Sequence, residues 1–156
     1  MISPYELKTF DDLQGQILTK VEHVDYTNYD SDQIIFYVDN GSNALKFDED
    51  DAEENTVAYR LWHNQNCCES VYVEDICGDL TDLVGHGPIL LAEEIIYNRE
   101  TPEGIPILNE VEQSYRYPDS YTWTFYKLST VWGSVTIRWY GTSNGYYSES
   151  VDFGRV

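Results

Sequence analysis

Residues 121–140, YTWTFYKLSTVWGSVTIRWY, hold two runs of β-branched and aromatic side chains, 121–130 and 134–140. In the second run Val135, Ile137 and Trp139 fall on one side, and Thr136, Arg138 and Tyr140 on the other. A period of two belongs to a strand with one buried face, because successive side chains point to opposite sides of a sheet. β-branched and aromatic residues also suit a pleated, half-buried surface. Strand is the expected state here, and the rest of the chain repeats the pattern.

Working outward, similar runs occur at QILTKVEHV (16–24), QIIFYV (33–38), TVAYRLWH (56–63), SVYVEDI (70–76) and YYSESVDF (146–153). PILLAEEIIY (88–97) contains the helix formers Leu, Ala and Glu, but Ile95, Ile96 and Tyr97 at its end favour strand. Turn signals between runs, DNG at 39–41 and SNG at 143–145, predict antiparallel hairpins rather than parallel crossover units. Helix is confined to FDDLQG (10–15), capped by Thr9, and GDLTDLVG (78–85), bracketed by glycines. The expected class is mainly β to α+β, a single antiparallel sheet or small sandwich with one or two short helices. One domain spans 1–156. Two stretches read as loop inserts: the acidic 43–55 and the proline-containing 98–120.

The chain has 156 residues, 42% apolar and 15% aromatic, enough to build one core and exclude wholesale disorder. No apolar run reaches the ~20 residues of a membrane helix. The start, MISPYELKTF, has no basic stretch leading into an apolar one, so a cytoplasmic protein is expected. Nine basic against twenty-eight acidic residues give a net charge of −19. That field disfavours direct binding to nucleic acid or an anionic membrane and favours basic partners or cations. The densest part is Asp48, Glu49, Asp50, Asp51, Glu53 and Glu54.

Chemistry concentrates in HNQNCCESVYVED (63–75). His63, Cys67, Cys77 and His86 are a weak candidate metal set, because paired C-x-x-C or H-x-x-x-H spacings are absent. A thiol nucleophile is disfavoured: Glu69, Glu74 and Asp75 would raise a cysteine pKa, whereas a reactive thiol needs it lowered. The acids Glu69, Glu74, Asp75, Asp79 and Asp82 match no calcium loop, and no nucleotide-binding or protease motif is present. A bridge between Cys67 and Cys68 would close a strained ring, so reduced, buried thiols at a structural corner are expected. A second candidate is RWYGTSNGYYSESVDF (138–153), where Arg138, Tyr140, Asn144, Tyr146 and Tyr147 offer stacking and hydrogen bonds to a nucleotide or peptide. The alternative there is a plain hairpin turning at SNG. No cofactor is expected.

FDDLQGQILTKVE, HNQNCCESVYVEDICGDLTDLVG, PILLAEE, WTFYKLST and RWYGTSNGYYSESVDF together resemble a family of small proteins of unknown function encoded by phages and prophages of Gram-positive bacteria. Asn66 stands where the resemblance leads one to expect an aspartate, which counts against a fixed metal role for the cysteine run. The resemblance implies a phage context and transfers no activity. In that context the leading expectation is a non-enzymatic acidic protein in the cytoplasm of the infected host. It would inhibit a host defence component through nucleic-acid mimicry, its acids at 48–54 entering a basic nucleic-acid-binding groove. A nucleotide-signal binder built on the C-terminal aromatic run is the alternative, and a metal-dependent enzyme at the His/Cys/acid cluster a third. Exposed strand edges are compatible with a homo-oligomer.

Overall fold

A computed structural model describes residues 2–25, 32–41, 57–98 and 120–156. The acids at 48–54 lie outside the described residues, as do all but the end positions of the 98–120 segment. Among the described residues there are eight strands: β1 (Leu18–Val24), β2 (Gln33–Val38), β3 (Val57–Trp62), β4 (Ser70–Cys77), β5 (Leu91–Asn98), β6 (Ser120–Ser129), β7 (Ser134–Ser143) and β8 (Asp152–Arg155). They form two antiparallel four-stranded sheets, ordered β1-β2-β3-β8 and β4-β7-β6-β5.

The period-two pattern does what it predicts. Val135, Ile137 and Trp139 of β7 are buried against Ile34, Phe36 and Val38 of β2 and Leu61 of β3 in one core. Each such side chain contributes roughly 1.5–3 kcal/mol by leaving water. β6 departs from simple alternation, since Trp123, Thr124, Phe125 and Tyr126 are all buried. Its outward face therefore carries packing of its own: Trp123 lies 4.5 Å from the Tyr140 ring, and Phe125 packs edge-on against Tyr97.

Both helical expectations shrink to single turns of 3-10 helix, Phe10–Leu13 and Leu80–Leu83. Asp12 accepts hydrogen bonds from the N–H groups of Lys8 and Thr9 at the first, and Asp79 caps the second through Thr81 N–H. Phe10, Leu13 and Leu83 plug the core from these turns. Within PILLAEEIIY, ladder pairing with β6 from Leu91 to Asn98 overrides helix propensity.

The SNG hairpin is not formed. β7 ends at Ser143, and the chain crosses to the other sheet, where β8 pairs with β3. Of YYSESVDF (146–153) only Asp152 and Phe153 are strand, as the start of β8. The reason is non-local: the Glu149 carboxylate is bound by Ser120 and Thr122 of β6 and the Ser150 carbonyl by His63, so the returning chain does not lie beside β7. No described helix is long and apolar enough to cross a membrane.

Candidate functional site

The run 63–69 carries the chain from β3 in one sheet to β4 in the other. His63 and Glu69 are buried and face each other, with Nε2 3.0 Å from Glu69 Oε1. The remaining carboxylate capacity of Glu69 is taken by the N–H groups of Asn66 and Cys67. Burial pushes this carboxyl upward, but hydrogen bonds from Asn66, His63 and the local backbone outweigh it and hold the pKa at about 2. Gln65 closes the turn by donating to the Glu69 carbonyl at 2.7 Å. A buried charge is tolerable only when paired and saturated, and here both conditions are met.

The other ring nitrogen of His63 donates to the Ser150 carbonyl at 2.6 Å, across 87 positions of sequence. β4 and β7 pair nearby, Ser70 with Thr142 and Val71 with Gly141. The two runs that stand out in the sequence are thus halves of one corner. Its second half has its own buried carboxylate. Glu149 accepts from Thr122 Oγ1 at 2.8 Å, Ser120 Oγ at 3.2 Å and Ser143 Oγ. A Cβ at Gly141 would sit 3.0 Å from both the Cβ and the carbonyl oxygen of Glu149, so any other residue here would require Glu149 to shift by a few tenths of an ångström. Sequence reasoning missed Glu149; its signal was the S-E-S triplet close to the threonines and serines of β6 and β7.

These buried partners hold up an exposed tip: Asn64, Gln65, Asn66, Cys67 and Cys68 from one run, Asn144, Gly145 and Tyr146 from the other. Tyr146 is 85% exposed and meets the Tyr147 ring edge-on at 5.1 Å. Side-chain acceptors shape its turn, Asn144 Oδ1 from Tyr146 N–H and Ser143 Oγ from Gly145 N–H. Cys67 and Cys68 correct an expectation. They are exposed rather than packed inside, and they are joined to each other as a disulfide. The turn made around Glu69 projects both side chains away from the core.

The weak metal set does not converge. Both His63 nitrogens are engaged, Cys67 is bonded to Cys68, Cys77 donates to Asp75, and His86 stacks on Trp132 at 4.5 Å. The Asp75 carboxylate and burial raise the Cys77 thiol pKa, the wrong direction for a nucleophile. Asp75 itself is lowered by the Cys77 thiol and by Arg138, whose guanidinium lies 3.1 Å away. The acids after Glu69 therefore hold separate posts: Asp75 on Arg138, Asp79 at its cap, Glu74 in solvent. Arg138 and Tyr140 sit along β7 on the outward face with Trp123, apart from Asn144, Tyr146 and Tyr147 at the tip.

Two packed antiparallel sheets with a hydrogen-bonded corner and an exposed polar–aromatic tip define a mainly β protein. A family model described as a domain of unknown function (DUF7448) matches residues 11–153, and the chain belongs to that family. No curated protein and no solved structure matches it.

Proposed function

We propose that this chain is an acidic binding protein that acts by occupying a basic protein surface. In the phage setting implied by its sequence resemblance, that surface is the nucleic-acid-binding groove of a host defence component. The observation that carries the reading is the corner. Two buried carboxylates, Glu69 and Glu149, serve internal hydrogen bonding and hold an exposed aromatic tip in place. An exposed tyrosine on a loop shaped by side-chain hydrogen bonds suits the centre of a protein interface, because a pre-shaped loop loses less entropy when it binds.

The charge distribution supports the same reading. Lys20 lies 3.5 Å from Glu22, Arg60 stacks over Trp62, Arg138 pairs with Asp75, and Arg155 lies over the Tyr5 ring. These cations are used within the fold, while Glu6, Asp11, Asp25 and Glu74 face solvent and the whole chain carries −19. Such a one-signed field steers a basic partner and repels nucleic acid. The nucleotide alternative is less favoured, since Arg138, its one nearby cation, shares its charge with Asp75.

The test is capture of a partner from a bacterial host lysate by the full chain, followed by binding kinetics on the purified pair. Association should weaken at least tenfold between about 50 and 200 mM salt, and duplex DNA should compete with this protein for the partner. Charge reversal across 48–54 should slow association; Tyr146→Ala should speed dissociation by about tenfold or more. A partner indifferent to salt, to DNA and to both variants would sink the proposal.

A further inference from the structure

Three side chains at the end of the β1–β2 hairpin where the chain passes from one strand to the other converge in a way the proposed function does not use. His23 is near the end of β1, Asp25 follows that strand, and Asp32 immediately precedes β2. One donor atom from each lies within 4.8 Å of the other two, the only such group of metal-ligand side chains among the described residues. His23 Nε2 is 3.3 Å from Asp25 Oδ1 and 3.4 Å from Asp32 Oδ1. We propose that His23, Asp25 and Asp32 form a mononuclear site for a divalent transition-metal ion of the zinc type.

The distances favour a shared ion over a shared proton. A charge-assisted N–H···O bond contracts to roughly 2.7–2.9 Å. His23 Nε2 instead stands back from two carboxylates and, although shielded from solvent, makes no hydrogen bond. Ligands ~2.0–2.1 Å from a tetrahedral ion stand about 3.3–3.4 Å from one another, the separation found between His23 and each of the two aspartates. Octahedral magnesium at ~2.0–2.1 Å would draw them in to about 3.0 Å. An imidazole ligand likewise disfavours magnesium and calcium, which take oxygen donors, and suits zinc.

The surroundings are those of a ligand set held in place. Asp32 is buried, and its second oxygen accepts the Val73 N–H at 2.8 Å, which leaves Oδ1 turned toward His23. Val73 adjoins the irregularity in the β4–β7 ladder, so the bond ties the first sheet's hairpin to the second sheet. Metal-bound carboxylates are commonly oriented by such outer hydrogen bonds. Asp25 is 79% exposed at its side chain and gives an ion access from solvent. Three protein ligands leave a fourth position for water.

The experiment is isothermal titration of the full-length protein, first dialysed against a chelator, with zinc, magnesium and calcium chlorides. Zinc should bind with a stoichiometry of one, at least tenfold tighter than magnesium or calcium, and should raise the melting temperature. His23→Gln and Asp25→Ala should each weaken zinc at least tenfold and abolish the melting shift, whereas His86→Ala should change neither. Because Asp25 is mostly exposed, Asp25→Ala reports on the ligand set without threatening the fold. Absence of zinc binding, or zinc binding that survives both substitutions, would overturn the site. Partner capture in the experiment above does not depend on this outcome.

Discussion

Glu69, one of five acids that match no ligand motif in the sequence, is buried and saturated with hydrogen bonds in the fold. Its carboxyl is held at about 2, below the ordinary value of 4.5, although burial alone would raise it. A carboxyl with a depressed folded-state pKa stabilises fully above its unfolded value, and that stability is lost as pH falls toward the folded one. The window is therefore about pH 4.5 down to 2, and the contribution is on the order of 3 kcal/mol. Glu69→Gln should lower stability by about 2–3 kcal/mol at neutral pH and flatten the acid dependence across that window. Urea melts at several pH values would show it; an unchanged acid slope in the variant would remove Glu69 as the source. That a carboxylate, a histidine and two cysteines sit together was legible in HNQNCCE. Which atoms answer which was not, because the decisive partner of His63 is a carbonyl 87 positions away.

Elements were more legible than sites, for a physical reason. A strand's alternation is written locally, so Ile34, Phe36 and Val38, or Val135, Ile137 and Trp139, announce their buried face within a few residues. Where a strand goes next is settled by non-local bonds, which is why the SNG turn misled: Glu149 binds β6 hydroxyls and β8 crosses to β3. The His23–Asp25–Asp32 group also had a local signal. H-x-D at the end of a strand places both side chains on one face. Turn geometry gives a sharper test. Gly78, directly after β4, has φ +106°, and an added Cβ would lie 2.6 Å from the Ser134 carbonyl oxygen. Gly85 has φ +76° with open space around it. Gly78→Ala should cost at least ~2 kcal/mol, from backbone strain plus collision, and Gly85→Ala only the ~1–2 kcal/mol of a left-handed alanine. Equal losses in paired urea melts would show that the approach of β7 to this turn does not matter.

At the scale of the molecule, one core between two sheets must hold together a chain of charge −19. Compaction brings like charges closer than they are in the unfolded chain, so self-repulsion opposes folding, and salt relieves it by shortening the range of the field. Among the described residues the ion pairs that salt would weaken are few and mostly exposed, such as Lys20–Glu22 and Arg138–Asp75, each worth no more than about 1 kcal/mol. The buried His63–Glu69 pair is shielded from screening. Repulsion therefore wins the balance. Raising sodium chloride from about 20 to 500 mM should stabilise the fold by ~1 kcal/mol, or about 2–4 °C in melting temperature. The same salt should loosen a basic partner, so stability and association move in opposite directions along one axis. Calorimetric melts of the protein alone check the first half. A flat or falling melting temperature would mean that the acids are spread widely enough not to strain the fold, and that the field acts outward only.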